Sequence, residues 1–237
     1  MFGLAFIFKK MAVVLMATAT LSGCDSIDMS LLDYEEQYPM EYVEAYPLEI
    51  KTVDENNVDI STIINFDGVS EHSKNLYYEY VDMEPDSIKQ ALIDYGARIN
   101  VAPSGKYTEG AAGIYYTGSG SINVNCSTDK RLKIAVNHEI GHCIDEILSY
   151  YYNIDWGIEP YTGATCKFVS NSDEFRRIYE EECPNAGYPS YNSFCPPEYF
   201  AETYRYIIEG NEKMMSRAPR ATAFVKKVLN ETFGTTY

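Results

Sequence analysis

The sequence predicts an α+β protein in which a small mixed β-sheet is followed by one long helix and a helical C-terminal half. Three observations predict this class. Short apolar stretches separated by turn residues lie between residues 97 and 126. One long amphipathic segment, Leu132 to Leu148, follows them. Further helical segments fill the rest of the chain, and strands that precede helices in this way are typical of α+β proteins.

The predicted elements before the long helix are set by alternating apolar residues and by glycines. Gly96 suits the end of a helix, and the alternation around Ile99 and Val101 indicates a strand. A glycine-rich turn at 118–120 indicates a hairpin. The predictions are a stretch with room for a short strand and a helix (54–84), a helix (85–95), a strand (97–102), a turn (103–105) and two hairpin strands (113–118 and 121–126).

The predicted helices of the C-terminal half have recognisable first and last residues. Pro197 and Pro219 suit the first turn of a helix, where a missing N–H group costs nothing. Gly210 suits a C-terminal stop. The predicted helices cover 132–148, about 172–182, 197–209 and 219–231.

The N-terminal residues 1–23 have the order of a bacterial lipoprotein signal peptide. Two lysines precede an apolar run of about a dozen residues, which is short of the roughly 20 needed to span a bilayer. The run ends in Leu21-Ser22-Gly23-Cys24, which resembles a lipobox. We therefore expect lipidation of Cys24 and a protein anchored at the extracellular face of the bacterial cell membrane, from which it can be shed or secreted. An uncleaved membrane anchor is the alternative.

The mature chain is predicted to consist of an acidic tether, residues 24–50, and one domain, residues 51–237. Residues 25–90 carry 17 acidic and 3 basic residues, against a net charge of −16 for the chain. Such a segment argues against nucleic acid as a partner, because phosphate binding needs clustered Lys and Arg. A solvated tether is the favoured interpretation, and steering of a basic protein substrate is the alternative. We expect a monomer.

Five cysteines remain after Cys24, and an odd number leaves at least one of them unpaired. An exported protein permits disulfides, and a pair among the last three is plausible. The pairing stays open. Cys143 follows a histidine on the long helix and is interpreted as a core residue. The five are Cys126, Cys143, Cys166, Cys183 and Cys195.

The long helix carries His138, Glu139 and His142 in an H-E-x-x-H pattern. Residues four apart lie on the same face of a helix, so both imidazoles can bind one metal ion. Glu139 is then placed beside the attacking water, as in zinc peptidases. A chance pattern on an amphipathic helix is the alternative, but two of only three histidines in the chain lie here. Hydrolysis of a peptide bond is the leading hypothesis.

A catalytic zinc site needs a third protein ligand, because three ligands leave one position open. The remaining histidine, His72, is far upstream, so a carboxylate is the better candidate. Glu198 and Glu202 lie four apart on one predicted helix. One of them can bind zinc while the other accepts the free N–H of an imidazole. Spacing alone does not rank them, and a pair of solvated glutamates is the alternative.

Three segments together resemble a known family. His138 to Asp145, Glu174 to Glu182 and Glu198-Tyr199-Phe200-Ala201-Glu202 are similar to the catalytic domain of anthrax lethal factor and its relatives, the Pro-Pro endopeptidases. The resemblance extends from about Asp86 to Leu229. It implies a zincin-like metallopeptidase fold, one Zn²⁺ per chain and hydrolysis of protein or peptide substrates.

The resemblance also implies roles for individual residues. The zinc ligands would be His138, His142 and Glu198, with Glu139 as general base and Glu202 as a supporting carboxylate. A tyrosine seven residues before the glutamate ligand, here Tyr191, would meet the developing oxyanion, with Tyr188 as a nearby substitute. The stretch from His142 to Glu198 is longer than the family implies, which leaves the shape of the substrate cleft open.

Two interpretations compete with a membrane-anchored zinc endopeptidase. The first is a non-catalytic, surface-binding lipoprotein that retains the peptidase fold. The second is a metal-dependent hydrolase that acts on something other than peptides. For an endopeptidase, we expect an extended substrate to pair with a strand, either 114–117 or 122–125. The sequence does not fix the cleavage specificity.

Overall fold

The computed structural model describes residues 58–103, 105–108, 110–158, 165–189 and 194–237, together with the backbone of residues 14–17. Two sheets and seven helices are present in these ranges. The strands of the main sheet precede most of the helices, so the α+β class predicted from the sequence is confirmed. Cys24, the tether and Tyr191 lie outside the described residues.

The main sheet has five strands in the order β1-β4-β5-β3-β2. Strands β4 and β5 form the predicted antiparallel hairpin, while β3 runs parallel to both of its neighbours, β2 and β5. The sheet is therefore mixed. Its strands are β1 (Val14–Ala17), β2 (Ile64–Phe66), β3 (Arg98–Ala102), β4 (Gly113–Tyr116) and β5 (Ser121–Asn125).

Strand β1 comes from the apolar N-terminal segment that the sequence predicts to be a signal peptide. It pairs antiparallel with β4, with Val14 opposite Tyr116 and Ala17 opposite Gly113. Strand β4 thus has an outer edge whose N–H and C=O groups accept an extended partner. Cleavage before Cys24 would remove β1 and leave β4 as the edge strand.

The helices follow the predicted order, with bounds that differ by a few residues. Gly96 ends α2 in the left-handed conformation (φ 78°), and Pro219 opens α7. The stretch 54–84, which was ambiguous in the sequence, contains β2 and one helix. The helices are α1 (Glu71–Val81), α2 (Asp86–Tyr95), α3 (Asp129–Tyr151), α4 (Asp173–Ala186), α5 (Pro196–Ile208), α6 (Glu212–Met215) and α7 (Pro219–Phe233).

Helix α3 is the central element of the core. One side packs on β4 and β5, and another packs on α5. Gly141 allows the close approach of α5, because a Cβ atom there would lie 3.0 Å from the Ala201 Cα atom and 3.0 Å from Tyr204 Cδ1. A larger residue at 141 would push the two helices apart. The glycine within the H-E-x-x-H pattern therefore brings Glu198 of α5 within reach of the histidines.

A buried carboxylate ties α3 to the β4–β5 hairpin. Glu146 is fully buried and accepts hydrogen bonds from the hydroxyls of Tyr95 (2.7 Å), Tyr115 (2.8 Å) and Thr117 (2.8 Å) and from the N–H of Gly118 (3.0 Å). Burying a carboxylate is costly unless its oxygens are hydrogen-bonded, and here they are. This network fixes the hairpin relative to the helix that carries the histidines.

A second, two-stranded sheet follows α3 and was not predicted from the sequence. Strands β6 (Gly157–Ile158) and β7 (Thr165–Cys166) pair antiparallel. Two-residue strands leave too short an alternation to recognise in a sequence. Within the described ranges, none of the helices combines the length and the hydropathy that crossing a bilayer requires.

Glu84, between α1 and α2, gives the fold a pH-dependent stability. It is buried, and burial raises its pKa to about 8, although the hydrogen bond from Tyr204 and the charge of Lys89 act against this. The unfolded chain ionises Glu84 from about pH 4.5, whereas the folded chain keeps the proton up to about pH 8. Stability therefore falls as pH rises through this window.

We expect Glu84→Gln to abolish this part of the pH dependence. The free energy of unfolding of the variant should equal that of the wild type at pH 4. At pH 8 it should be about 2–4 kcal/mol higher, since one pKa unit corresponds to about 1.4 kcal/mol. Denaturant unfolding at a series of pH values measures the difference. Glu79→Gln, at an exposed position of α1, is the control. A constant difference across the pH range would contradict the assignment.

Candidate metal centre

His138 and His142 lie one turn apart on α3, and both are buried. Their ring centroids are 4.9 Å apart and the rings are nearly perpendicular. Tyr115 of β4 stacks against His142 at 6.4 Å, and Phe168 lies at the same distance on a tilted plane. The sheet and the segment after β7 therefore hold the His142 ring in place.

Glu198, in the first turn of α5, reaches both imidazoles. Its Oε2 lies 3.1 Å from His138 Nε2, and its Oε1 lies 3.4 Å from His142 Nε2. One donor atom from each of the three residues lies within 4.8 Å of the others. Among the described residues, this is the one group of His, Cys, Asp and Glu donors close enough to share a metal ion.

The three residues fit a zinc ion in their chemistry as well as in their spacing. Among the described residues, the buried His142 Nε2 and Glu198 Oε1 atoms have no hydrogen-bond partner, although they lie 3.4 Å apart. Leaving such atoms unpaired costs roughly 1–3 kcal/mol each. Two imidazoles and a carboxylate are the ligand set of a catalytic zinc site with one open position. The unpaired atoms are accounted for if they bind a metal ion.

Glu202 holds His138 from the other side of the ring. Its Oε2 lies 3.2 Å from His138 Nδ1, so the imidazole can donate to Glu202 and present Nε2 to the metal. Arg205 in turn donates to both oxygens of Glu202, at 2.5 and 3.0 Å. Burial alone would raise the pKa of Glu202, but His138 and Arg205 hold it well below its usual range. Glu202 is therefore an anion that fixes the tautomer of His138.

Glu139 lies on the side of α3 that faces the start of β4. Burial raises its pKa to about 8, despite the neighbouring His138, and within the described ranges its Oε2 has no hydrogen-bond partner. A bound divalent cation would lower this pKa. With its pKa lowered in this way, the carboxylate is ionised near neutral pH and can accept a proton there.

Two residues that the sequence analysis weighed lie outside the donor group: His72, which it set aside, and Tyr188, the substitute for Tyr191. His72 lies on the surface, where its Nε2 is 3.0 Å from Asp129 Oδ2. Tyr188 packs its ring on Tyr199 at 5.1 Å, and its hydroxyl lies 3.4 Å from Thr203 Oγ1. Tyr188 therefore packs against α5. The oxyanion role stays assigned to Tyr191, which lies outside the described residues.

Gly113 and Arg205 were missed in the sequence. A Cβ atom at Gly113 would overlap the Glu139 side chain, so the glycine lets the backbone of β4 pass directly over that carboxylate. An isolated glycine at the start of a predicted strand was the available signal. Arg205 has the helical i, i+3 spacing from Glu202, but such pairs are common on exposed helix surfaces. The pair became a candidate for the site only when the structure showed that Glu202 is buried.

The fold and the site together define an α+β zinc metallopeptidase, a hydrolase of peptide bonds. The family model described as anthrax toxin lethal factor, N- and C-terminal domain, matches residues 36–228. The chain belongs to this family. The match begins inside the segment predicted as a tether.

A solved relative shows the same fold. The Pro-Pro endopeptidase PPEP-2 from Paenibacillus alvei is similar to this chain with a TM-score of 0.51 and 18% sequence identity. The alignment covers 71% of this chain and 98% of PPEP-2. No curated protein sequence matches this chain significantly.

The two buried glutamates of α5 can be separated by experiment. Glu198→Ala should strip most of the zinc, because it removes a donor that lies between both imidazoles. Glu202→Ala should lower zinc affinity by a smaller step, roughly 10- to 100-fold, as loss of an orienting carboxylate does. Chelator competition at a single pH measures both affinities, because ligand deprotonation makes them pH-dependent.

The opposite order of effects would contradict this assignment. If Glu202→Ala lost the metal while Glu198→Ala held it tightly, the zinc would have to lie one helical turn further along α5. Glu180→Ala, at an exposed position of α4 and outside the donor group, is the control for the loss of one glutamate.

Proposed function

We propose that this protein is a membrane-anchored extracellular zinc endopeptidase in which Glu139 is the general base. The observation that carries the proposal is the set of donor atoms from His138, His142 and Glu198, which lie within 4.8 Å of one another beside a buried Glu139. Membership of the lethal factor family supports it. PPEP-2, with the same fold, is named as an endopeptidase.

The residues of this chain divide the chemistry between them. Zinc, when bound by His138, His142 and Glu198, would supply a Lewis acid that polarises the scissile carbonyl and acidifies water. Glu139 takes the proton of the attacking water and delivers it to the leaving amine. This role fits its position beside the donor group and its Oε2, which has no hydrogen-bond partner among the described residues. Glu202 and Arg205 keep the His138 ring oriented throughout.

The substrate backbone is proposed to lie along β4. That strand passes over Glu139 at Gly113, and its outer edge pairs with an extended strand in this structure. A peptide added there gains main-chain hydrogen bonds and is placed next to the general base. The Tyr191 hydroxyl is assigned to the developing oxyanion on the family resemblance.

Cleavage-site profiling of the purified protein on a peptide library tests the proposal. Zinc-dependent cleavage of internal bonds is expected, abolished by a chelator and restored by zinc. The library should include Pro-Pro bonds, because PPEP-2 is named for them. Stoichiometric zinc without cleavage of any peptide would favour the alternative, a non-catalytic surface-binding lipoprotein that retains the fold.

The proposed location rests on the sequence Leu21-Ser22-Gly23-Cys24. Cys24→Ser should abolish lipid labelling and leave the precursor unprocessed or move the protein to a soluble fraction. Metabolic labelling with a fatty acid and membrane fractionation measure this. Ser22→Ala changes a neighbouring hydroxyl and should leave labelling unchanged. Equal labelling of Cys24→Ser and wild type would rule out the lipid anchor.

A further inference from the structure

Two large apolar side chains are exposed at the start of the second sheet, one just before β6 and one within it. Trp156 is 52% exposed and Ile158 is 67% exposed. They lie two positions apart in the sequence, a spacing that puts side chains on one face where the chain is extended. A single exposed apolar residue needs no explanation, but an adjacent pair that includes the one tryptophan of the chain indicates a contact surface.

The indole of Trp156 lies at the end of β4 that is remote from Glu139. Its Cη2 atom would be 3.7 Å from a Cβ atom at Gly118, so the ring covers the turn that follows β4. Gly113, at the other end of β4, lies against Glu139. The two glycines are five positions apart, across β4 and the first residues of the turn, which corresponds to at most about 16 Å.

The segment after Trp156 leads back to the metal centre. Gly157 pairs with Cys166, and two residues later the Phe168 ring lies 6.4 Å from that of His142. Asp145 of α3 fixes this segment by accepting hydrogen bonds from the Ser170 N–H (2.8 Å) and hydroxyl (2.5 Å). The second sheet is therefore anchored between the end of β4 and the metal-binding helix.

The direction of an added strand follows from the antiparallel pairing. The pairing of β1 shows it: its N-terminal residue, Val14, lies opposite Tyr116, and Ala17 lies opposite Gly113. A peptide with this polarity runs from Gly118 towards Glu139. Residues about four or five positions before the bond at Glu139 then lie beside Trp156.

We propose that Trp156 and Ile158 form a subsite for an apolar side chain on the N-terminal arm of the peptide substrate, four or five residues before the scissile bond. The inference rests on the proposed endopeptidase function. An apolar substrate side chain that packs on the indole and the isoleucine is removed from water. This contact needs no hydrogen bond between substrate and protein. The subsite thus selects for hydrophobicity far from the reacting bond.

Profiling of Trp156→Ala against wild type on one peptide library tests the subsite. Wild type should prefer apolar residues at these two positions, and the variant should lose that preference. For a cleaved peptide with leucine there, we expect KM to rise about 10-fold with kcat nearly unchanged. For a peptide with aspartate at the same position, KM should be the same for the wild type and the variant. Trp156→Phe should restore part of the preference, and Met83→Ala, which removes an apolar side chain that is 45% exposed elsewhere, should change nothing.

Fluorescence of Trp156 gives a readout that does not need turnover. In Glu139→Gln protein, the leucine peptide should shift the emission to the blue and protect the indole from acrylamide, whereas a peptide truncated before these positions should not. An unchanged cleavage profile for Trp156→Ala, or indole emission that is indifferent to both peptides, would overturn the subsite while cleavage itself continued. Absence of cleavage by the zinc-loaded wild type would instead overturn the endopeptidase function and the subsite with it.

Discussion

His142→Ala is expected to remove the bound zinc and the peptidase activity together. His142 is completely buried, and its Nε2 has no hydrogen-bond partner among the residues that the structure describes. Alanine leaves two protein ligands, too few for a stable zinc site. Metal analysis after dialysis should find well under one zinc per chain, and cleavage of a reporter peptide should fall below detection. His138→Ala should behave in the same way.

A matched histidine elsewhere controls for the loss of an imidazole. His72→Ala removes an exposed ring that pairs with Asp129 and should leave both zinc content and activity at the wild-type level. Circular dichroism should show that His142→Ala keeps its helices, because the site lies on a core of apolar residues. Stoichiometric zinc in purified His142→Ala would refute the ligand assignment.

Glu139→Gln should keep the zinc and lose turnover by at least about 100-fold, because an amide cannot accept the proton of the attacking water. The substitution preserves shape, which matters where Gly113 leaves little space beside the side chain. Zinc affinity by chelator competition and kcat on the reporter peptide separate binding from chemistry.

Zinc content decides how a loss of activity in Glu139→Gln is to be interpreted. A zinc-loaded variant without turnover supports the general base. A variant that loses zinc would show that Glu139 acts on the metal site. Near wild-type kcat in the zinc-loaded variant would disprove the mechanism. Glu212→Gln, on α6 at the surface, is the control for removal of one carboxylate.

Local patterns in the sequence predicted most of the fold and the histidine pair. The H-E-x-x-H spacing, the prolines that open helices and Gly96 at the end of α2 all act within one helix or turn, so their effects appear in the sequence. The hairpin β4–β5 was predicted for the same reason. The pairing of β3 in parallel with β2 and β5 depends on contacts between distant segments and has no local signature.

Sequence spacing alone could not decide which of Glu198 and Glu202 binds the metal. Both residues share a helix face, and only the tertiary placement of α5 shows that Glu198 lies between the imidazoles while Glu202 lies behind His138. The family resemblance supplied that order. It also assigned Tyr191, whose role remains a prediction. Tyr188, its proposed substitute, packs its ring on Tyr199.

Because α3 packs closely on α5 at Gly141, a metal bound between them would cross-link the two helices in addition to its role in catalysis. Its ligands come from two helices some 60 positions apart in the chain, so an unfolded chain holds at most the two neighbouring histidines. Zinc therefore binds the native state more tightly than the unfolded chain. Free zinc at 1,000 times its dissociation constant adds about 4 kcal/mol to the apparent free energy of unfolding. Where zinc is scarce, the same protein becomes more prone to unfolding and degradation. Metal supply would thus set how long the protein lasts, independently of how fast it works.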